Sequence, residues 1–388
     1  MSPHRLRAPF LETHLTAGRL VGALSVTLRR SGIVNIGCHG VRDLDTREPV
    51  GPDTVFRLHS MSKPLTALAL LVLCDERGIP LSTPASEFVP ALRELRAFDA
   101  RAGAAAPPIT LHHLLTHTSG LPYPDPTGSP AERSLARAIG DMMTEPHGLS
   151  LAEWTERVAR SELAHAPGAG FTYGISIDVA GRIVEVLANA PLDETLRTRV
   201  FDPLGMLDTG FALSPAQSAR LSRVYHCVGP GEFKHVPESV EEPRFLSGGG
   251  RIYSTGHDYA RFCRMLLHGG VLDGTRVVTE AMLRVSAECQ LGGLRDLPGM
   301  RNHRDLGLGA SFGLLGRVIV EAGESDYGAR GTFGWDGVCG NTFFVDRATD
   351  LASILLTQIL PWPADLHRDF RRWSYAQASS VADLLSGS

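Results

Sequence analysis

Lysine is nearly missing from this chain: among 38 basic residues only Lys63 and Lys234 are lysines, and arginine fills every other basic position. Long apolar runs are missing too. The longest, Leu65 to Cys74, is about half a membrane span and reads as a buried helix, so no membrane partner is expected. There is no excess of either charge sign, with a formal net charge of −4 and 21% charged residues. That balance gives no field to gather nucleic acid or an anionic surface. The six cysteines, Cys38, Cys74, Cys227, Cys263, Cys289 and Cys339, form no C-x-x-C pair, and free buried thiols in a reducing compartment are expected. The N-terminus has basic residues but no continuous apolar segment and no A-x-A site after one. No signal peptide is expected, and the expected location is cytoplasmic. A G-x-S-x-G elbow is also lacking, which leaves an α/β-hydrolase triad unsupported.

What is present is a chain of 388 residues, 43% of them hydrophobic, enough for one large domain or two interleaved lobes. Val21 to Arg29 alternates apolar Leu24, Val26 and Leu28 with polar Ser25, Thr27 and Arg29, the pattern of a half-buried strand. Ser31-Gly32 supplies a turn, and Ile33 to Cys38 reads as the hairpin partner. A second hairpin closes the chain, from Thr342 to Val345 and from Leu351 to Thr357. Strands at both ends imply one antiparallel sheet shared by the two termini. Between them Leu65, Leu68, Ala69 and Val72 follow helical spacing up to Gly78-Ile79-Pro80. From Leu81 to Arg244 short amphipathic helices are broken by Gly/Pro clusters, and Asp258 to Leu267 is a further helix with Thr255 and Asp258 spaced as a capping box. The expected fold class is α+β: a sheet lobe from residues 1–80 and 245–388, with a helical lobe, 81–244, inserted into it.

The chemistry centres on Phe56-Arg57-Leu58-His59-Ser60-Met61-Ser62-Lys63-Pro64. Residues three apart share a helix face, so the Lys63 amine reaches the Ser60 hydroxyl. Serine is a weak nucleophile until a base takes its proton, and lysine accepts one only when neutral. Burial and the positive end of a helix are expected to lower the Lys63 pKa. The same helix start offers the Ser60 backbone N–H to an oxyanion. Chance supplies a serine at this spacing before one of two lysines about one time in ten. The scarcity of lysine adds weight, because arginine serves any ion pair but cannot act as a base. Pro64 opposes helical geometry at Lys63, so an irregular first turn is expected. His59, adjacent in sequence, points away from Ser60 and is read as pocket lining. His112, His113 and His117 look like a metal cluster, but no carboxylate or cysteine completes a ligand set, so no metal is expected. Ser176 and Asp178 read as helix-capping residues.

The run GVRDLDTREPVGPDTVFRLHSMSKPLTALA (40–69) resembles the serine β-lactamase-like superfamily, in its class C and family VIII carboxylesterase branch. So do LHHLLTHTSGLPY (111–123), PGAGFTYGISIDVAGRIVE (167–185), GGGRIYSTGHDYARFCRMLLHGG (248–270) and GWDGVCGNTFFVDRATDL (334–351). These segments stand in the family's order over most of the chain. The resemblance implies a two-lobe fold with the site between sheet and helical lobe. It implies that Ser60 is the acylated nucleophile, Lys63 its base and Tyr173 the phenol that shuttles a proton to or from the leaving group.

It further implies that Trp335-Asp336-Gly337 stands where penicillin-recognising relatives carry a basic residue, and that Val338 supplies the second oxyanion N–H beside that of Ser60. Trp335 offers no charge to a substrate carboxylate, Asp336 would repel one if it faces the pocket, and Ile175 replaces an expected asparagine. Trp335, Asp336, Gly337, Ile175, His59 and Tyr123 are therefore the expected substrate contacts, and the expected substrate is a neutral ester or acyl donor. No cofactor is implied, and the oligomeric state stays open. The same residues would also serve a transacylase, a β-lactamase or D-amino-acid peptidase, or a non-catalytic binding protein on this fold.

Overall fold

A computed structural model describes residues 8–98, 107–140, 148–237, 243–291, 309–321 and 328–386. Its centre is a seven-stranded antiparallel sheet built from both ends of the chain. The N-terminal part supplies β1 (Gly22–Arg29) and β2 (Gly32–Gly40). A short strand, β3 (Val55–Arg57), pairs outside the sheet with β4 (Tyr253–Thr255). The C-terminal part supplies β5 (Ala310–Phe312), β6 (Arg317–Ile319), β7 (Phe333–Asp336), β8 (Thr342–Asp346) and β9 (Leu351–Thr357). The order is β5-β6-β7-β8-β9-β1-β2, so the two sequence hairpins meet where β1 pairs with β9, Leu24 opposite Leu356 and Val26 opposite Ile354. Both hairpins read from the alternation are present, and the fold is α+β as the patterning implies.

Each face of the sheet is covered by helices. Leu24, Val26 and Leu28 join the large core, which includes α2 (Lys63–Arg77), α4 (Ser176–Ala188) and α5 (Gly256–Leu267), while α3 is the short Leu111–Leu115 turn. The opposite face packs Ala23, Phe344, Leu351 and Leu355 against α1 (Pro9–Thr16) and α6 (Leu366–Ser386). For this reason β1 is not half-buried: Ser25 and Thr27 are as deeply enclosed as their apolar neighbours. The Thr27 hydroxyl lies 3.2 Å from that of Ser353, which in turn accepts from Ser374 of α6 at 2.9 Å. Thr27, Ser353 and Ser374 are tolerated inside because their hydroxyls satisfy one another, whereas the Ser25 hydroxyl has no partner among the described residues.

Helix α2 is enclosed from Lys63 to Cys74, which suits a helix apolar on every side. It ends where Gly78 takes the left-handed conformation at φ 63°, the expected C-terminal stop. At α5 the Thr255 hydroxyl accepts from the Asp258 N–H at 3.2 Å, as the capping box requires. The reciprocal half is missing, because the Asp258 carboxylate instead accepts from the Asp208 amide and the Thr209 hydroxyl. The segment between the sheet halves is mainly helical, but its hairpin strand Tyr225–Gly229 pairs in parallel with Ile359–Leu360, tying it to the C-terminal part. All six cysteines are free thiols, and no helix among the described residues is long and apolar enough to cross a membrane.

Under α6 lies a buried ionic cluster. The Asp336 carboxylate accepts from Arg317 at 2.7 and 3.2 Å and from the Thr342 hydroxyl at 2.6 Å, with Arg371 of α6 at 3.7 Å. His367, also on α6, stands 3.8 Å away. Burial, opposed by Asp336 and reinforced by Arg371, lowers the His367 pKa to about 4. The unfolded chain therefore binds a proton between about pH 6.5 and 4 that the folded chain refuses. Stability contributed by neutral His367 is complete above pH 6.5 and is lost as pH falls through that window, to a limit of about 3 kcal/mol. Urea unfolding at pH 7 and pH 5 measures it: His367→Gln is expected to show a smaller pH difference than the wild type, and an equal one contradicts the assignment.

Candidate active site

The local fold around Ser60 follows from Pro64. A 3-10 turn, His59–Ser62, precedes α2, and proline occupies the first helical turn, where no intrahelical N–H is required of it. The irregular start expected from the sequence is thus the 3-10 turn, and Lys63 itself is helical, with φ −56° and ψ −45°. His59 carries a left-handed φ of 49°, a rare conformation for a non-glycine residue, one position before Ser60. Its ring turns aside to Cys339, with Nε2 3.2 Å from Sγ.

Lys63 is 4% exposed, and its ammonium donates to three oxygens: Ser60 Oγ at 3.2 Å, Tyr123 Oη at 2.9 Å and the Gly249 carbonyl at 2.7 Å. A cavity of only about 10 Å³ adjoins it, lined by His117, Phe312, Leu315 and Trp335 among others. That is room for one water at most. Tyr173 completes the group. Its hydroxyl accepts from the Trp335 indole N–H at 3.0 Å, the neighbouring Ser60 hydroxyl favours its ionised form, and Lys63 Nζ lies 4.9 Å from its ring centre. The ring is held by His117 at 4.6 Å, Trp335 at 5.2 Å and Tyr123 at 5.7 Å between centroids. Phe312 packs on both His117 and Trp335, so Tyr173 stands in an aromatic wall.

The electrostatics correct one expectation. Burial pushes the Lys63 pKa down, as anticipated, but Tyr123, Tyr173 and Asp178 outweigh it, and the net direction is up. Lys63 is therefore an ammonium at neutral pH. Burial likewise raises the Tyr173 pKa, against the opposing pull of Lys63. The Asp178 pKa is raised, chiefly by burial and against the pull of Lys63.

Asp178 itself is not a cap. The N-terminal residue of α4 makes no side-chain cap, and Ser176 bonds Ser119 at 2.8 Å. The Asp178 carboxylate accepts from the Ser247 hydroxyl at 2.5 Å and the Gly249 amide at 3.0 Å. It thereby fixes the loop whose Gly249 carbonyl receives Lys63. Sequence reasoning missed this role because the partners lie about seventy positions further along the chain.

Of the expected substrate contacts, Tyr123 and Trp335 meet the group at Ser60 through Lys63 and Tyr173. Two others do not. Ile175 is wholly buried in the core. Asp336 is turned away, because successive strand residues face opposite sides: Trp335 points to the helical core and Asp336 to the Arg317 cluster under α6. Its charge, held below the ordinary carboxylate range by Arg317, His367 and Arg371 against burial, therefore repels nothing at the site. Gly337 is obligatory, since a Cβ there would stand 2.6 Å from the Leu58 carbonyl oxygen. That close approach docks the end of β7 on the chain just before Ser60. The Gly337 and Gly340 amides are used inside the following turn, whereas the Val338 amide has no partner among the described residues. The loops expected to shape the pocket, 122–146 and 288–326, lie partly outside the described residues.

Comparison with known proteins places the fold in a family. A family model described as Beta-lactamase matches residues 9–378. The chain belongs to the beta-lactamase family. Esterase EstB of Burkholderia gladioli is 32% identical over 380 residues, covering 91% of this chain and 89% of that protein. Among solved structures, EstCE1, described as a hydrolase with promiscuous acyltransferase activity, superimposes with a TM-score of 0.81 at 25% identity, covering 94% of this chain and 96% of that one. Simvastatin synthase (LovD) from Aspergillus terreus has a TM-score of 0.77 at 26% identity, over 95% and 98% of the two chains. The family confirms the resemblance read from the five sequence segments.

Removing the Asp336 carboxylate leaves Arg317 and Arg371 buried without a counter-charge. Asp336→Ala is therefore expected to lower stability by about 3–5 kcal/mol in chemical denaturation. A loss within about 0.5 kcal/mol, as for an open surface position, would return Asp336 to the pocket.

Proposed function

We propose that this protein is a serine ester hydrolase that works through an acyl-enzyme on Ser60. The observation that carries the reading is the contact of Ser60 Oγ with Lys63 Nζ at 3.2 Å, with Tyr173 beside the same serine. Its likeness to an esterase over nine-tenths of both chains supports the reaction class. An ester carbonyl meets Ser60, Lys63 takes the hydroxyl proton after the group has lost one, and the serine oxygen bonds to carbon. The oxyanion is received by the amides of Ser60, at the start of a 3-10 turn, and Val338. Tyr173 then passes its proton to the departing alcohol and regains one from the Lys63 ammonium, which returns to its neutral form, and water releases the acyl group by the reverse route.

Because Lys63 rests as an ammonium, the active form is one proton poorer than the resting form. Tyr123 accepts a hydrogen bond from the ammonium and so holds it in place until that proton is lost. Trp335, rather than a cation, stands on the strand beside the site, which supports a neutral acyl substrate over one bearing a carboxylate. The case for a neutral substrate rests on this residue, since Asp336 and Ile175 take no part in the pocket. Transfer of the acyl group to a small alcohol or amine is the second reading, supported by the likeness to EstCE1 and LovD.

Turnover of p-nitrophenyl butyrate and of a chromogenic cephalosporin tests the proposal. Ester cleavage is expected in the wild type and is expected to fall by at least about a thousandfold in Ser60→Ala. Equal turnover of the cephalosporin would overturn the substrate class. With the Lys63 pKa raised, kcat/KM is expected to climb about tenfold per pH unit between pH 6 and 8. A plateau beginning at pH 6 would mean that Lys63 is neutral there.

A further inference from the structure

The sequence-based expectation of a metal-free chain considered only the histidines from His112 to His117. In the structure His113 is occupied in a capping box with Thr110, and His117 packs on Tyr173. The helices on the opposite face of the sheet hold a different group. His14, in the last turn of α1, faces Asp365, just before α6, and Asp369, in its first turn. One ligand atom from each of the three lies within 4.8 Å of the others, and His14 Nε2 is 3.7 Å from Asp369 Oδ2.

His14 is the decisive member. It is 1% exposed, and neither ring nitrogen has a hydrogen-bond partner among the described residues. Buried imidazoles are ordinarily satisfied, and an orphaned one aimed at two carboxylates calls for a missing partner. Both carboxylates are about a third exposed, so an ion has access from solvent.

We propose that His14, Asp365 and Asp369 form a binding site for a zinc ion that ties α1 to α6. One imidazole and two carboxylates match the nitrogen and oxygen donors zinc accepts, with water as the fourth ligand. Ligand atoms around a tetrahedral zinc with bonds near 2.0 Å stand about 3.3 Å apart, so the 3.7 Å pair is close to its bound geometry. Two guanidiniums already touch the carboxylates, Arg19 on Asp365 at 3.0 Å and Arg368 on Asp369 at 3.2 Å. Arg368 takes Asp369 Oδ1 and leaves Oδ2 toward His14. Arg19 gives up one Asp365 oxygen on binding, and these positive charges hold the affinity below that of a closed cysteine site.

The site is remote in sequence from the Ser60 group and needs none of its chemistry. Its test is run on the full chain after treatment with EDTA. Zinc chloride is expected to raise the melting temperature by several degrees with saturation at one ion per chain by titration calorimetry. Asp369→Asn, a partly exposed change that leaves the core intact, is expected to abolish the shift, as is His14→Gln, while ester turnover without zinc stays as in the wild type. Anomalous scattering from zinc-soaked crystals is expected to place the ion about 2.0–2.2 Å from the three side chains. No saturable binding, an ion located elsewhere, or an unchanged shift in Asp369→Asn would overturn the proposal.

Discussion

The Lys63 ammonium, enclosed at the head of α2 and shared among Ser60, Tyr123 and the Gly249 carbonyl, is the interaction on which the rest of the site depends. A buried cation is costly unless its donors are all used, and here three oxygens take them. Each oxygen comes from a different part of the chain. Meeting at one nitrogen, they lock the 3-10 turn, the loop after α3 and the segment before β4 into one arrangement. Asp178 anchors that last segment through Ser247 and Gly249.

Behind this centre the support is layered. Tyr173 is fixed by the Trp335 indole and by the rings of His117 and Tyr123. Trp335 is in turn fixed by its strand, and the next residue on that strand, Asp336, is clamped on the far face by Arg317 and Thr342. Strand alternation thus links an aromatic wall on one face to an ionic cluster on the other. Gly337 then lets the strand end reach the backbone of Leu58, immediately before the turn that carries Ser60. Strand β6, which carries Arg317 and lies one strand in from the edge, is therefore part of the scaffold of the site.

Much of this was legible in the sequence where the signal is local. The two hairpins follow from period-two alternation, the end of α2 from Gly78, and the Ser60–Lys63 contact from helical spacing. The scarcity of lysine pointed to a residue that proves to be enclosed. What could not be read was the direction of polar side chains whose partners are distant in sequence. Ser25 and Thr27 look solvated until α6 is seen to cover them. Asp178 looks like a cap until Ser247 and Gly249 arrive, and Asp336 looks like a pocket wall until Arg317 and Arg371 are placed. The direction of the Lys63 pKa failed for the same reason: desolvation is predictable from an apolar helix, but Tyr123 and Asp178 are brought in only by the fold.

The central claim is that Ser60 is the atom acylated, with Lys63 needed for the attack. Peptide mapping by mass spectrometry after exposure to a p-nitrophenyl phosphonate ester tests it most directly. A single stable adduct on Ser60 in the wild type, absent in Ser60→Ala and much slower to form in Lys63→Ala, is the predicted result. An adduct on another residue, or labelling of Ser60 at an undiminished rate in Lys63→Ala, would contradict it.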